Sequence, residues 1–155
     1  MRQYSHNSSL YVPKEYSEQK AVFQWAKLRE NEHPELKGLF HCPNGGARDE
    51  KTGALMKAIG TKPGVCDLLL LVSRGTYHGL AIELKRQKGG TLTQNQKKWI
   101  NRLNRNGYCA VVCYGAKEAI AKIEWYLKLG DYHKPNAEEI AGVMTGICND
   151  ETEGD

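Results

Sequence analysis

Residues 79–90 read GLAIELKRQKGG, an apolar run of strand length that carries a carboxylate, Glu83, and an ammonium, Lys85, two positions apart. A strand's period of two puts Leu80, Ile82 and Leu84 on one face and Ala81, Glu83 and Lys85 on the other. A second apolar run, DLLLLV at 67–72, opens on Asp67, and only residues 73–78 separate the two. A symmetric antiparallel hairpin sets Val72 against Gly79 and Asp67 against Leu84, which brings Asp67 beside Glu83 and Lys85 to within one residue of register. Carboxylates that close repel, and burying either one unpaired is costly, so a positive charge must compensate. Lys85 is one candidate and a divalent cation is the other. Oxygen ligands with no thiolate or clustered imidazole suit Mg²⁺ or Mn²⁺ rather than zinc. For the Glu-Leu-Lys triplet alone, an internal Glu83–Lys85 ion pair is the simpler account. Three features favour a chemical site: Asp67 at the matching position, a basic stretch without acids, and the room left by Gly89 and Gly90.

Such a cluster needs a sheet to carry it and helices to cover it. Ser17 is placed to cap a helix running to about Glu30, with Ala21, Val22, Trp25 and Leu28 on its apolar face. Residues 38–50 predict a short strand and a loop, and residues 52–60 a short helix stopped by Gly60. Thr93 and Gln96 form a capping box opening a helix through Asn106, with Trp99, Ile100 and Leu103 inward and Gly107 as its stop. YCAVVCY at 108–114 predicts a third core strand. An amphipathic helix follows, with Ala119, Ile120, Ile123 and Leu127 on a stripe ended by Gly130. The expected fold is α/β, a small sheet covered by helices. Residues 1–130 form the expected domain, and 131–155 an acidic extension of weak periodicity, either a loosely held appendage or an oligomer contact.

Charge is distributed unevenly. The formal net charge is +4, yet residues 131–155 hold seven acids and one lysine, so residues 1–130 carry 21 basic and 11 acidic side chains. Between Leu84 and Lys117 there is no acid, while Lys85, Arg86, Lys88, Lys97, Lys98, Arg102, Arg105 and Lys117 all fall there. A polyanion partner is the natural expectation, set against a merely solvated basic surface. Asn44, Gly45, Gly46 and Arg48 form a polar loop able to contact phosphate, and Lys57 and Lys62 are placed to do the same. His41 and His78 lie near the cluster in sequence and are assigned no catalysis. Five cysteines without paired spacing fit a reducing compartment. No run reaches the length of a membrane span and no apolar signal core opens the chain, which predicts a soluble protein of the cytoplasm.

The phrases NGGAR, GALMKAIGTKPGVCDLLLL, GLAIELK and the Thr-x-x-Gln-x-x-Trp helix ending in Gly-Tyr resemble the small stand-alone VRR-NUC proteins of phage and bacteria. Within them, Asp67, Glu83 and Lys85 match the D-x(n)-E-x-K core of the PD-(D/E)XK nuclease superfamily. The match covers roughly residues 16–128. It implies a restriction-endonuclease-like core, a mixed sheet flanked by helices. It further implies Asp67 and Glu83 as ligands of Mg²⁺ or Mn²⁺, assisted by the Leu84 carbonyl, with Lys85 positioning the attacking water. Glu18 matches an acid of the first helix that points into the site, although a carboxylate there also suits the positive end of a helix. Gln96 matches the glutamine of the helix after the central strands. Cys66 stands where proline usually precedes the aspartate, and the Val-x-Arg-Arg signature is not evident.

The expected function is a metal-dependent DNA endonuclease acting on branched, Holliday junction-like DNA as a homodimer, in a bacterial cell or phage-infected host. Arg86, Lys88, Lys97, Lys98 and Arg102 would hold the DNA backbone. The rival expectation is a non-catalytic nucleic-acid-binding module on a nuclease scaffold.

Overall fold

In a computed structural model, which describes residues 14–43 and 50–148, the two charged runs form neighbouring antiparallel strands. The sheet holds four strands in spatial order: β1 (Leu39–His41), β2 (Leu68–Leu70), β3 (Leu80–Lys85) and β4 (Cys109–Tyr114). β1, β2 and β3 are antiparallel neighbours, whereas β4 lies parallel to β3 after a crossover through α3 (Gln94–Arg105). This is the mixed sheet flanked by helices that the resemblance implies.

Alternation on β3 sorts its side chains as expected. Leu80, Ile82 and Leu84 join Leu68 and Leu70 in the main core, covered by α1 (Glu15–Arg29) and α4 (Ala116–Leu127). On the other face Ala81 packs with Cys66, Ala110 and Leu69 beneath Ile100 and Leu103 of α3. Because both faces are covered, every residue of β3 is buried, the two charged ones included.

Register differs by one residue from the symmetric hairpin. Leu68 faces Ile82, which places Asp67 against Glu83 rather than Leu84. The cause lies in the connection, whose tip is an Arg74–Tyr77 bridge with paired backbone bonds of 3.1 and 2.9 Å. Three residues run from Leu70 to that bridge and two run back to Leu80, so one side carries an extra residue, as a bulge does. β2 is accordingly shorter than residues 67–72, and Leu71 is exposed.

Other boundaries also move. α1 begins at Glu15, not after Ser17, because the Lys14 carbonyl accepts the N–H groups of both Ser17 and Glu18. Its buried stripe is Glu18, Val22 and Ala26, at four-residue spacing, which turns Leu28 outward. Thr93 and Gln96 do form the capping box of α3. A short helix, α2 (Glu50–Ala58), precedes the loop to β2.

β4 is an edge strand, and side chains occupy its open backbone groups. Asn104 donates to the Ala110 carbonyl at 3.0 Å and accepts its N–H at 2.8 Å, while the Tyr114 N–H reaches Glu118 at 2.9 Å. Both contacts blunt an edge that another strand would otherwise extend. Beyond α4, His133 donates its N–H to Gly75, and α5 (Ala137–Cys148) follows a reciprocal Asn136–Glu139 cap with bonds of 2.8 and 2.9 Å. The weak periodicity of this segment gave no sign of that helix. Among the described residues, no helix is long and apolar enough to cross a membrane.

Candidate active site

Asp67, Glu83, Lys85 and Gln96 meet at one end of the β2–β3 pair. The main chain of Asp67 is fixed from β1, where its carbonyl accepts the Cys42 N–H at 2.9 Å and lies 2.9 Å from His41 Nδ1. Its side chain is fixed from β3, whose Leu84 N–H donates to Oδ2 at 2.9 Å. One carboxylate oxygen of Asp67 is thus anchored to the main chain of β3.

Glu83 follows the same logic more strictly. Its Oε1 accepts both Lys85 Nζ, at 2.7 Å, and the side-chain amide of Gln96, whereas its Oε2 is buried with no hydrogen-bond partner. Glu83 is 1% exposed and Lys85 6%. An orphaned carboxylate oxygen in such surroundings is costly unless a cation or donor meets it. Burial pushes the Glu83 carboxyl up to about 7, the Asp67 charge adds to the rise, and Lys85 opposes it.

The Leu84 carbonyl faces the same place. Lys85 gives its carbonyl to Gly115 of the β4 side, and successive residues of a strand alternate edges, so Leu84 directs both its N–H and its C=O toward Asp67. Two carboxylates and a backbone carbonyl are hard oxygen donors that fit Mg²⁺ or Mn²⁺. Among the described residues, no group of three or more His, Cys, Asp or Glu side chains is arranged to hold a metal. A cation here would therefore rest on two carboxylates, the carbonyl and water or substrate, as Mg²⁺ sites commonly do.

Gln96 serves two roles. Its amide nitrogen holds Glu83, and its oxygen accepts the Thr93 N–H at 2.9 Å. The capping box therefore aims the amide at the cluster.

Among the described residues, no hydrogen bond or ion pair joins Glu18 to these four. It sits in the α1 and α4 layer, 5% exposed, where its Oε2 accepts the Ala116 N–H at 2.8 Å at the start of α4 and its Oε1 has no hydrogen-bond partner. Since β4 ends at Tyr114, this contact lies at the same end of the sheet as Lys85, its ladder partner.

Lys97, Lys98, Arg102 and Arg105 are exposed on α3, Arg86 and Lys88 in the turn after β3, and Lys57 and Lys62 on α2 and its following loop. Asn44, Gly45, Gly46 and Arg48 lie outside the described residues.

Cys66, already singled out for standing where proline is usual, has a plain packing role, and one further feature, Gly64, was passed over in the sequence. Cys66 is fully buried beside the carboxylates, and desolvation, with the charges of Glu83 and Asp67, pushes its thiol up to about 12. It stays a neutral packing group rather than a nucleophile. Gly64, in a Pro-Gly turn that could have been noticed, has φ +84° and lets the loop before Asp67 lie directly on α3. A Cβ there would come within 2.5 Å of the Asn95 backbone and 2.7 Å of the Gln96 nitrogen. Gly64→Ala is expected to lower stability by about 2 kcal/mol or more. Gly53→Ala, on a helix with open space around it, should be neutral or stabilise by about 0.5–1 kcal/mol. Denaturant titration of the two variants checks the contrast.

A mixed sheet whose central antiparallel pair ends in an aspartate opposite a Glu-x-Lys is the layout of a PD-(D/E)XK nuclease core. The VRR-NUC domain model matches residues 6–117. A solved structure described as a "VRR_NUC domain protein" is 35% identical, with a TM-score of 0.70 over 80% of this chain and 96% of that chain. No curated protein matches. The chain belongs to the VRR-NUC domain family, a family of nucleases.

Proposed function

We propose that this protein is a metal-dependent DNA endonuclease that hydrolyses phosphodiester bonds at Asp67, Glu83 and Lys85, with branched DNA as its preferred substrate. The observation that carries this reading is the partnerless, buried Oε2 of Glu83 beside the Asp67 carboxylate. Asp67, Glu83 and the Leu84 carbonyl would hold Mg²⁺ or Mn²⁺. The cation, when bound, supplies Lewis-acid charge to the phosphate and eases deprotonation of water.

The chain's own residues do the rest. Lys85, pinned 2.7 Å from Glu83, places a positive charge where a water must approach the phosphorus and negative charge develops. Gln96 holds Glu83 so that only one of its oxygens is committed. The exposed cations of α3 bind the DNA backbone without reading bases.

Branched DNA is preferred because a two-fold dimer of such a minimal domain would bring two sites to two symmetric strands. A cleavage panel tests it: a four-way junction should be cut at least about tenfold faster than a linear duplex of the same sequence. Equal rates would remove the structure-specific part and leave a general DNA endonuclease. Salt-sensitive binding with no cleavage of any substrate would favour a non-catalytic module.

A further inference from the structure

A cavity of about 160 Å³ opens between α3 and the loop that precedes Asp67, lined by Pro63, Asn95, Lys98, Trp99 and Arg102. We propose that it receives one unpaired nucleobase next to the scissile phosphate, with the Trp99 ring and the Arg102 guanidinium as its platform. This deepens the nuclease reading given above and rests on it for the position of the scissile phosphate.

Four observations carry the proposal. The first is the platform: the Arg102 guanidinium lies over the Trp99 ring, 5.2 Å from its centroid. Guanidinium and indole planes are the surfaces on which unpaired bases stack. The second is rigidity, since Trp99 Nε1 donates to the Pro63 carbonyl at 3.1 Å, which fixes the ring against the loop that Gly64 seats on α3. A ring held before binding loses little freedom on stacking.

The third is charge. The lining holds two cations, one amide and no carboxylate, which favours an anionic nucleotide. The fourth is place: Trp99 lies three residues beyond Gln96, about 5 Å along the helix axis, and Pro63 four residues before Asp67. The cavity is well below the roughly 300–1,000 Å³ of pockets that enclose whole small molecules. One planar group suits it better than a free metabolite. Bases within a duplex cannot offer a face to it, whereas a base at a bulge or branch point can.

The experiment is an abasic scan. Full-length protein is titrated with labelled branched DNA at fixed salt in EDTA, each substrate lacking one base near the branch point, and cleavage in Mn²⁺ is followed in parallel. At one unpaired position, loss of the base should weaken binding by about five- to 150-fold, the range of a single base–aromatic stack. Trp99→Leu and Arg102→Ala should each remove most of that penalty, and Trp99→Phe should keep it. Should Trp99→Leu fail to fold, the scan and Arg102→Ala decide alone.

A flat scan, or a penalty unchanged in Arg102→Ala, overturns the proposal. If DNA is cut while the scan is flat, the nuclease reading stands and the pocket fails. If the penalty appears as described and no DNA is cut in Mn²⁺, the base-binding pocket stands, while the nuclease reading and the pocket's place beside a scissile phosphate fail.

Discussion

Lys85→Ala is expected to slow DNA cleavage by about 10²–10⁴-fold, the range for losing a positioned proton-transfer or charge-stabilising group. Affinity for DNA should change little, because Lys85 is 6% exposed and the function proposed above gives the backbone contacts to the exposed cations of α3. Single-turnover rates at saturating enzyme separate the two effects. Removing one partner of a buried ion pair also costs stability, about 3–5 kcal/mol where the remaining charge cannot escape. Here Glu83 escapes in part by taking a proton, because its carboxyl already sits near 7. Lys85→Met, which fills the buried stem's space, should therefore fold and still fail to cut. Cutting at the wild-type rate by either variant would exclude Lys85 from the chemistry.

In metal-free buffer, stability is expected to fall as pH rises from about 4.5 to about 7. Glu83 has its folded-state carboxyl raised from 4.5 to about 7, so the native chain binds more protons than the unfolded chain throughout that window. The loss should be complete above pH 7 and amount to at most about 3 kcal/mol. Glu35 shifts the other way: its own backbone interactions and Arg74 lower its carboxyl, so its contribution is lost only as pH falls below the ordinary carboxylate range. The two windows do not overlap. Glu83→Gln should flatten the slope between pH 4.5 and 7 while retaining the bonds to Lys85 and Gln96 through its amide oxygen. Thermal denaturation across this range, in EDTA, checks both curves. Added Mn²⁺ at pH 8 should raise the wild-type Tm and leave Glu83→Gln nearly unmoved.

Much of this site was legible because period-two alternation is a strong signal where both faces of a strand are covered. It separated Leu80, Ile82 and Leu84 from Glu83 and Lys85 without any knowledge of the helices. The capping box at Thr93 was equally legible, since it depends on residues three apart. The one-residue register offset was not, because it arises from an extra residue within the 73–78 turn, and turn geometry is not written in alternation. Glu18 illustrates a different difficulty. Its position on α1 was plain, but its partner is the Ala116 N–H, 98 residues away, and only tertiary packing reveals which layer it joins. The α5 cap escaped notice among acidic residues, although Asn136 and Glu139 carry the spacing that was recognised at Thr93 and Gln96.

The measurement that bears most directly on the central claim is cleavage of a 5′-labelled four-way junction by wild type and Asp67→Asn, with Mg²⁺, with Mn²⁺ and with EDTA. Asp67→Asn keeps an oxygen for the Leu84 N–H and removes the charge that faces Glu83. The account predicts cutting by wild type in either metal, none in EDTA, and a loss of about 10²-fold or more in the variant, with junction binding retained. Cutting that persists in EDTA, or that is as fast in Asp67→Asn as in wild type, would contradict it.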